Sequence, residues 1–159
     1  MWERHLRGDV TDPASLSEEF LLAVRRGEST AGLAADLADL DDEALAAALD
    51  TDRARVAFWT NLYNAATQRA LAADPGRYES RSQFFAADLV AVAGQPLSLD
   101  DIEHGILRRS YHKYTLGYLR VPRPLRSAFV DRHAPDERDP RVHFALNCGA
   151  ESCPPIAAY

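Results

Sequence analysis

Residues 52–73 constrain the fold of this chain more than any other stretch. They hold no glycine or proline, Thr51 or Asp52 can cap their start, and Asp74-Pro75-Gly76 ends them. Trp59, Tyr63, Ala66 and Ala70 recur at helical spacing and make an apolar face, while Asn61, Asn64 and Gln68 cluster on nearly the opposite side. Those amides form either a solvated face or a polar wall against a cleft or a turn whose backbone needs partners.

The segments around this helix follow from similar signals. Asp12-Pro13 starts a helix that runs through Phe20, Leu21 and Val24 to Gly27. Residues 30–50 are rich in Ala, Leu and Asp and read as two short helices broken near Asp41-Asp42. Leu89–Val92 reads as a short strand followed by a turn at Gly94-Gln95-Pro96. Ser98 and Asp101 then make a capping-box-like start, Asp replacing the usual Glu, to a helix reaching about Arg109. Residues 141–147, introduced by Asp139-Pro140, form the best strand pattern. The fold class expected is α+β, mostly helical with a small β-sheet.

At 159 residues the chain is long enough for one domain with its own core. No apolar run approaches the ~20 residues that span a bilayer, and the N-terminus lacks a signal-peptide core. These absences point to a cytoplasmic protein without membrane partners. Two cysteines are too few for a disulfide scaffold, so free, catalytic or metal-binding thiols or one local bridge are the alternatives. Residues 1–55 hold 13 acids and 6 bases, and residues 56–159 hold 11 acids and 12 bases, so the acidity is N-terminal. That balance speaks against general nucleic-acid affinity. Arg108, Arg109, Lys113, Arg120, Arg123 and Arg126, interleaved with Tyr111, Tyr114 and Tyr118, suit an anionic ligand, single-stranded nucleic acid or packing on the acidic N-terminal third; the last reading is preferred.

Chemistry concentrates in two segments. On the helix after Ser98, Leu99, Ile102, Ile106 and Leu107 define an apolar arc, and Glu103 falls inside it. A carboxylate there needs a partner, a raised pKa or both. That partner is either an ion pair holding a loop or a histidine to be oriented. His104 points about 100° away, so Glu103 suits a histidine from another element, with His143 the candidate. His104 itself has Asp100 and Arg108 at four residues' distance and suits a polar surface cluster.

The second segment is the C-terminal run from Arg141, which holds both thiols, Cys148 and Cys153. Strand alternation puts His143, Ala145 and Asn147 on one side and Phe144, Leu146 and Cys148 on the other, so His143 and Cys148 meet only if a turn at Gly149 breaks the parity. Cys148 is either a buried small hydrophobe or a nucleophile. Cys153, before Pro154-Pro155 at a helix start, is a rival thiolate. Zinc held by both cysteines and a histidine is disfavoured by the spacing, and no metal or cofactor is assigned.

Three motifs in order carry a resemblance: Phe58-Trp59-Thr60-Asn61-Leu62-Tyr63-Asn64, Ile102-Glu103-His104-Gly105-Ile106-Leu107-Arg108, and His143 through Asn147, Cys148 and Cys153 to Ile156. Together they resemble domain-of-unknown-function family 547 from about residue 52 onward. The resemblance marks Asn61, Asn64, Glu103, His104, Arg108, His143, Cys148 and Cys153. A set of Glu, His and Cys looks, by analogy, like a thiol-hydrolase arrangement in a papain/transglutaminase-like fold. Family domains continue beyond the Cys-Pro-Pro segment, so the resemblance implies a core, residues 52–159, that is C-terminally incomplete. An acidic helical extension, residues 1–51, would pack on it.

The expected function is a cysteine-dependent hydrolase or acyl-transferase-like activity on a small-molecule or peptide substrate. Cys148 would be the nucleophile, His143 the base, Glu103 its orienter and His104 the alternative base. Asn61, Asn64 or amides near Gly149 would stabilise an oxyanion. Arg108 and Cys153 would complete the substrate site. The competing expectation is a non-catalytic interaction domain, whose partner is another protein or the missing C-terminal segment.

Overall fold

The central helix forms where its caps place it. The Thr51 side chain accepts a hydrogen bond from the Ala54 amide, and α4 runs Asp52–Ala73. In this computed structural model, residues 12–110, 119–122 and 127–147 are described. Before α4 come α1 (Pro13–Arg26), α2 (Ala31–Ala38) and α3 (Asp42–Ala48). Asp12 caps α1 through the Ser15 amide, and Gly27 closes it in the left-handed conformation at φ 68°. Asp41 caps α3 through the Ala44 amide, so the break expected near Asp41-Asp42 is a helix boundary.

After α4, Pro75–Ser80 form a 3-10 turn that leads into α5 (Arg81–Ala86). An antiparallel pair follows, β1 (Asp88–Val92) and β2 (Gln95–Ser98). Its turn is Ala93-Gly94, both at positive φ (49° and 75°), rather than Gly94-Gln95-Pro96. Gln95 and Pro96 belong to β2, and a two-stranded sheet tolerates proline because each strand has an open edge. The turn has a second task. Its Ala93 and Gly94 amides donate to the Leu37 and Ala38 carbonyls at 2.9 and 2.7 Å, which satisfies acceptors at the end of α2. The described residues are therefore mostly helical with one small antiparallel sheet, an α+β arrangement.

Helix α4 sits at the centre. It packs against α1 on one side and against β1 and the segments after residue 100 on others. Phe58, Trp59, Leu62 and Tyr63 are buried, and so are Asn61, Asn64 and Thr67. Asn61 and Asn64 consequently belong to the polar wall of the two alternatives, while Gln68 is half-buried. Arg69 lies in the same environment. Its guanidinium stacks over Phe20 at 5.2 Å and donates to the Leu89 carbonyl at 2.6 Å, while burial lowers its pKa.

Two elements depart from their local patterns. The helix after Ser98 begins as its capping box dictates, with the Ser98 amide and hydroxyl on Asp101 Oδ2 at 2.9 and 2.8 Å. It then widens into a π-helix over Asp101–Leu107. It ends without glycine, on Arg109 and Ser110 at φ 55° and 58°. Two consecutive side-chain-bearing residues in that region cost energy, held here by Ser110 N–H bonds to the His104 and Gly105 carbonyls.

The strand expected over 141–147 is absent. Val142–Ala145 form a short helix, α7, after α6 (Ala128–His133). Val142 and Leu146, four apart, are buried, whereas Phe144 is 73% exposed. The buried spacing is that of a helix, and among the described residues no neighbouring strand offers this segment a ladder.

Candidate functional site

Three elements bring the marked residues together: α4, the π-helix and α7 with the two residues after it. Tyr63 and Asn64 lie on α4, Glu103, His104 and Arg108 on or just beyond the π-helix, and His143 on α7.

The π-helix determines what Glu103 meets. In an α-helix, residues five apart are about 140° apart around the axis. A turn closed five residues on brings them to the same side, as the Arg108 N–H to Glu103 carbonyl bond at 2.9 Å records. The Arg108 Nη2 then reaches Glu103 Oε1 at 2.8 Å. From α4 the Tyr63 hydroxyl donates to Glu103 Oε2 at 3.1 Å. The largely buried carboxylate therefore has the partners that its place in the apolar arc demands. Helix phasing found that need but not the partner, because it placed Arg108 beside His104.

His143 enters through Arg108. The same Nη2 lies 3.4 Å from His143 Nδ1. A guanidinium only donates, so Nδ1 must accept and the ring proton sits on Nε2. The order is thus Tyr63, Glu103, Arg108, His143, with arginine standing where a direct Glu103 to His143 contact was expected. His104 points elsewhere, to Asp100 at 3.8 Å.

Asn64 ties α4 to the chain that leads into Cys148. Its Nδ2 donates to the Ala145 carbonyl at 3.0 Å, and its Oδ1 accepts from the Asn147 amide at 2.8 Å. One buried side chain thus fixes both an acceptor and a donor of the same turn. Asn61, one helical turn earlier, faces α1 instead, its Nδ2 on Ser17 Oγ at 3.3 Å. Cys148 and Cys153, with the predicted turn at Gly149, lie outside the described residues. Lys113, Arg123, Arg126 and the three tyrosines of the basic segment do as well.

Sequence reasoning missed a second polar cluster. On α6, buried His133 places Nε2 2.6 Å from Asp42 Oδ1, and Arg132 pairs with the same carboxylate. The His133 ring packs on Trp59 and Phe129, and this burial lowers its pKa despite the opposing pull of Asp42. Asp52 also accepts from the Asp136 and Glu137 amides at 2.6 and 2.9 Å. Acids of the N-terminal region thus hold α6, through Asp42, and the segment after it, through Asp52. Among the described arginines of the basic segment, Arg108 pairs instead with Glu103, and Arg120 with Asp131. The signal for His133 was an aromatic-flanked histidine in Phe129-Val130-Asp131-Arg132-His133, visible but without a partner in sequence. Among the described residues, no group of three or more His, Cys, Asp or Glu is placed to hold a metal, and no helix is long and apolar enough to cross a membrane.

An α+β domain with a central buried helix, a π-helix carrying a Glu–Arg pair and a histidine beside them is the class that these observations define. The chain belongs to the family described as "Protein of unknown function, DUF547", whose model matches residues 47–159. Comparison with curated proteins and with solved structures found no match.

Proposed function

We propose that this domain is a cysteine-dependent hydrolase or acyl-transferase-like enzyme with Cys148 as nucleophile. The supporting observation is the Asn64 clamp, which immobilises the backbone at Ala145 and Asn147, immediately before that thiol. A nucleophile gains most from a fixed approach, and a side chain buried in the central helix is a rigid anchor. In this reading the thiolate attacks a carbonyl carbon, the carbon–sulfur bond forms, and the leaving group departs with a proton. Water or another acceptor then cleaves the thioester. His143 handles the proton once Arg108 withdraws from Nδ1, and Glu103 positions Arg108. Backbone amides near Gly149 stabilise the oxyanion, because Asn61 and Asn64 already engage protein partners. The analogy to papain- or transglutaminase-like enzymes rests on residue types alone.

The test is labelling by a thiol-reactive acyl analogue, read as intact mass. The wild type is expected to take one adduct on Cys148, and Cys148→Ala none, with Cys153→Ala labelled as wild type. Equal labelling of Cys148→Ala and wild type removes Cys148 as the nucleophile.

A second reading, a non-catalytic interaction domain, is favoured by one observation: Glu103 is paired to an arginine, as a purely structural carboxylate would be. It predicts no adduct on either cysteine in the folded protein and labelling of both after denaturation.

A further inference from the structure

We propose that Arg108 and His143 form a recognition point for an oxyanion, a carboxylate or phosphate group, on the molecule this domain binds. The inference deepens the thiol-enzyme reading by naming a chemical class for its substrate, and as a statement about binding it is tested separately.

The argument begins with the atoms left over. A guanidinium carries five N–H donors and no acceptor. Arg108 uses Nη2 for Glu103 Oε1 and His143 Nδ1. Its Nε and Nη1 have no protein acceptor among the described residues, and its side chain is 32% exposed. His143 is exposed too, and with Nδ1 facing the guanidinium it has only an N–H to offer, on Nε2. The unsatisfied polar atoms of this pair are therefore all donors. A ligand that satisfies them must bring acceptors, and charged oxygens satisfy them best.

Charge points the same way. Glu103 neutralises Arg108, but the next residue, Arg109, has no carboxylate partner among the described residues. The turn that carries it is held at φ 55° and 58°, a strained geometry of the kind that collects at ligand sites. Glu103, itself held by the Tyr63 hydroxyl, braces the Arg108 side chain, which preorganises its donors. The Phe144 ring, 5.6 Å from the His143 ring and largely exposed, gives the carbon portion of such a ligand an apolar surface.

The test uses the full chain and three probes: glutarate, its uncharged diamide glutaramide, and inorganic phosphate. Binding is read from the His143 ring nitrogens by NMR. Glutarate, phosphate or both are expected to shift these resonances saturably, and glutaramide is expected not to. Saturation by glutarate alone assigns a carboxylate, by phosphate alone a phosphate, and by both the shared oxyanion chemistry. Arg108→Gln is expected to weaken binding roughly tenfold or more, since it removes a charge-assisted hydrogen bond. His143→Ala, at an exposed position, is a second variant if Arg108→Gln does not fold, and its binding is followed by calorimetry with a similar loss expected. Cys148→Ala is expected to bind as wild type, so failure of thiol labelling and failure of anion binding are separate results. Glutaramide binding as tightly as glutarate, absence of any saturable shift, or binding unchanged in the variants overturns the proposal.

Discussion

Replacing Asn64 with Asp isolates the clamp that holds the approach to Cys148. The substitution is isosteric, so packing on α4 stays the same while one hydrogen-bond role changes. An ionised carboxylate still accepts from the Asn147 amide but cannot donate to the Ala145 carbonyl, which it faces at about the 3.0 Å of the native bond. Leaving that carbonyl unpaired costs about 1–3 kcal/mol, and a buried carboxylate facing an acceptor adds about as much again. A loss of about 2–6 kcal/mol at pH 7 follows. Protonation restores both roles, because a carboxylic acid donates through its O–H and accepts through its other oxygen. The folded-state pKa of the introduced group is therefore raised above its unfolded value near ~3.9. The folded state holds the extra proton between the unfolded and the raised folded pKa, so the variant's deficit is small below ~3.9, grows with pH at up to about 1.4 kcal/mol per unit across that window, and is constant above the raised pKa. Urea unfolding followed by circular dichroism at pH 7.0 and 5.0, each compared with wild type at the same pH, measures it. The deficit is expected to shrink by at least about 1 kcal/mol at pH 5.0, whereas that of Asn64→Leu stays constant. A deficit of Asn64→Asp that is equal at both pH values, or below about 0.5 kcal/mol at pH 7, would refute the clamp.

Two further predictions concern the supports of the site. Burial depresses the folded-state pKa of His133 below its ordinary 6.5, so its contribution is complete above that value and is lost as pH falls through 6.5 toward the depressed pKa; His133→Gln is expected to flatten the dependence of the melting temperature between pH 7.0 and 5.5, and an unchanged slope would exclude His133 as its source. A Cβ on Gly105 would lie 3.1 Å from Val130 Cγ1, so Gly105→Ala is expected to cost about 1 kcal/mol in wild type and markedly less in a Val130→Ala background; additive effects in the double-mutant cycle would show that the π-helix and α6 do not press on each other there.

Much of the architecture was legible because its causes are local. Thr51, Asp12 and Asp41 act on amides three residues away, and the Ser98 and Asp101 box acts within one turn, so caps fix helix starts before any tertiary contact exists. The partial burial of Glu103 was legible for a related reason, since an apolar arc carries its polar member inward with it. The strand expected over 141–147 failed because alternation over seven residues fits a helical turn as well, and burial of Val142 and Leu146 selects the helix. The amide face of α4 was misjudged as open to solvent in one of its two readings because no local signal says how many neighbours a helix has.

The sequence by itself determined the membership of the family, the long central helix, the strand at Leu89–Val92 and the residues with chemical potential. Tertiary structure decided their relations. It widened one helix so that residues five apart face each other, which gave Glu103 to Arg108 and brought His143 to the same guanidinium nitrogen. It surrounded α4, which turned Asn64 from an ordinary amide into the anchor for the chain before Cys148. Capping and propensity act within a few residues along the chain. Partner choice depends on which elements pack together and on the helical repeat that this packing allows, and neither is encoded in any short window of residues.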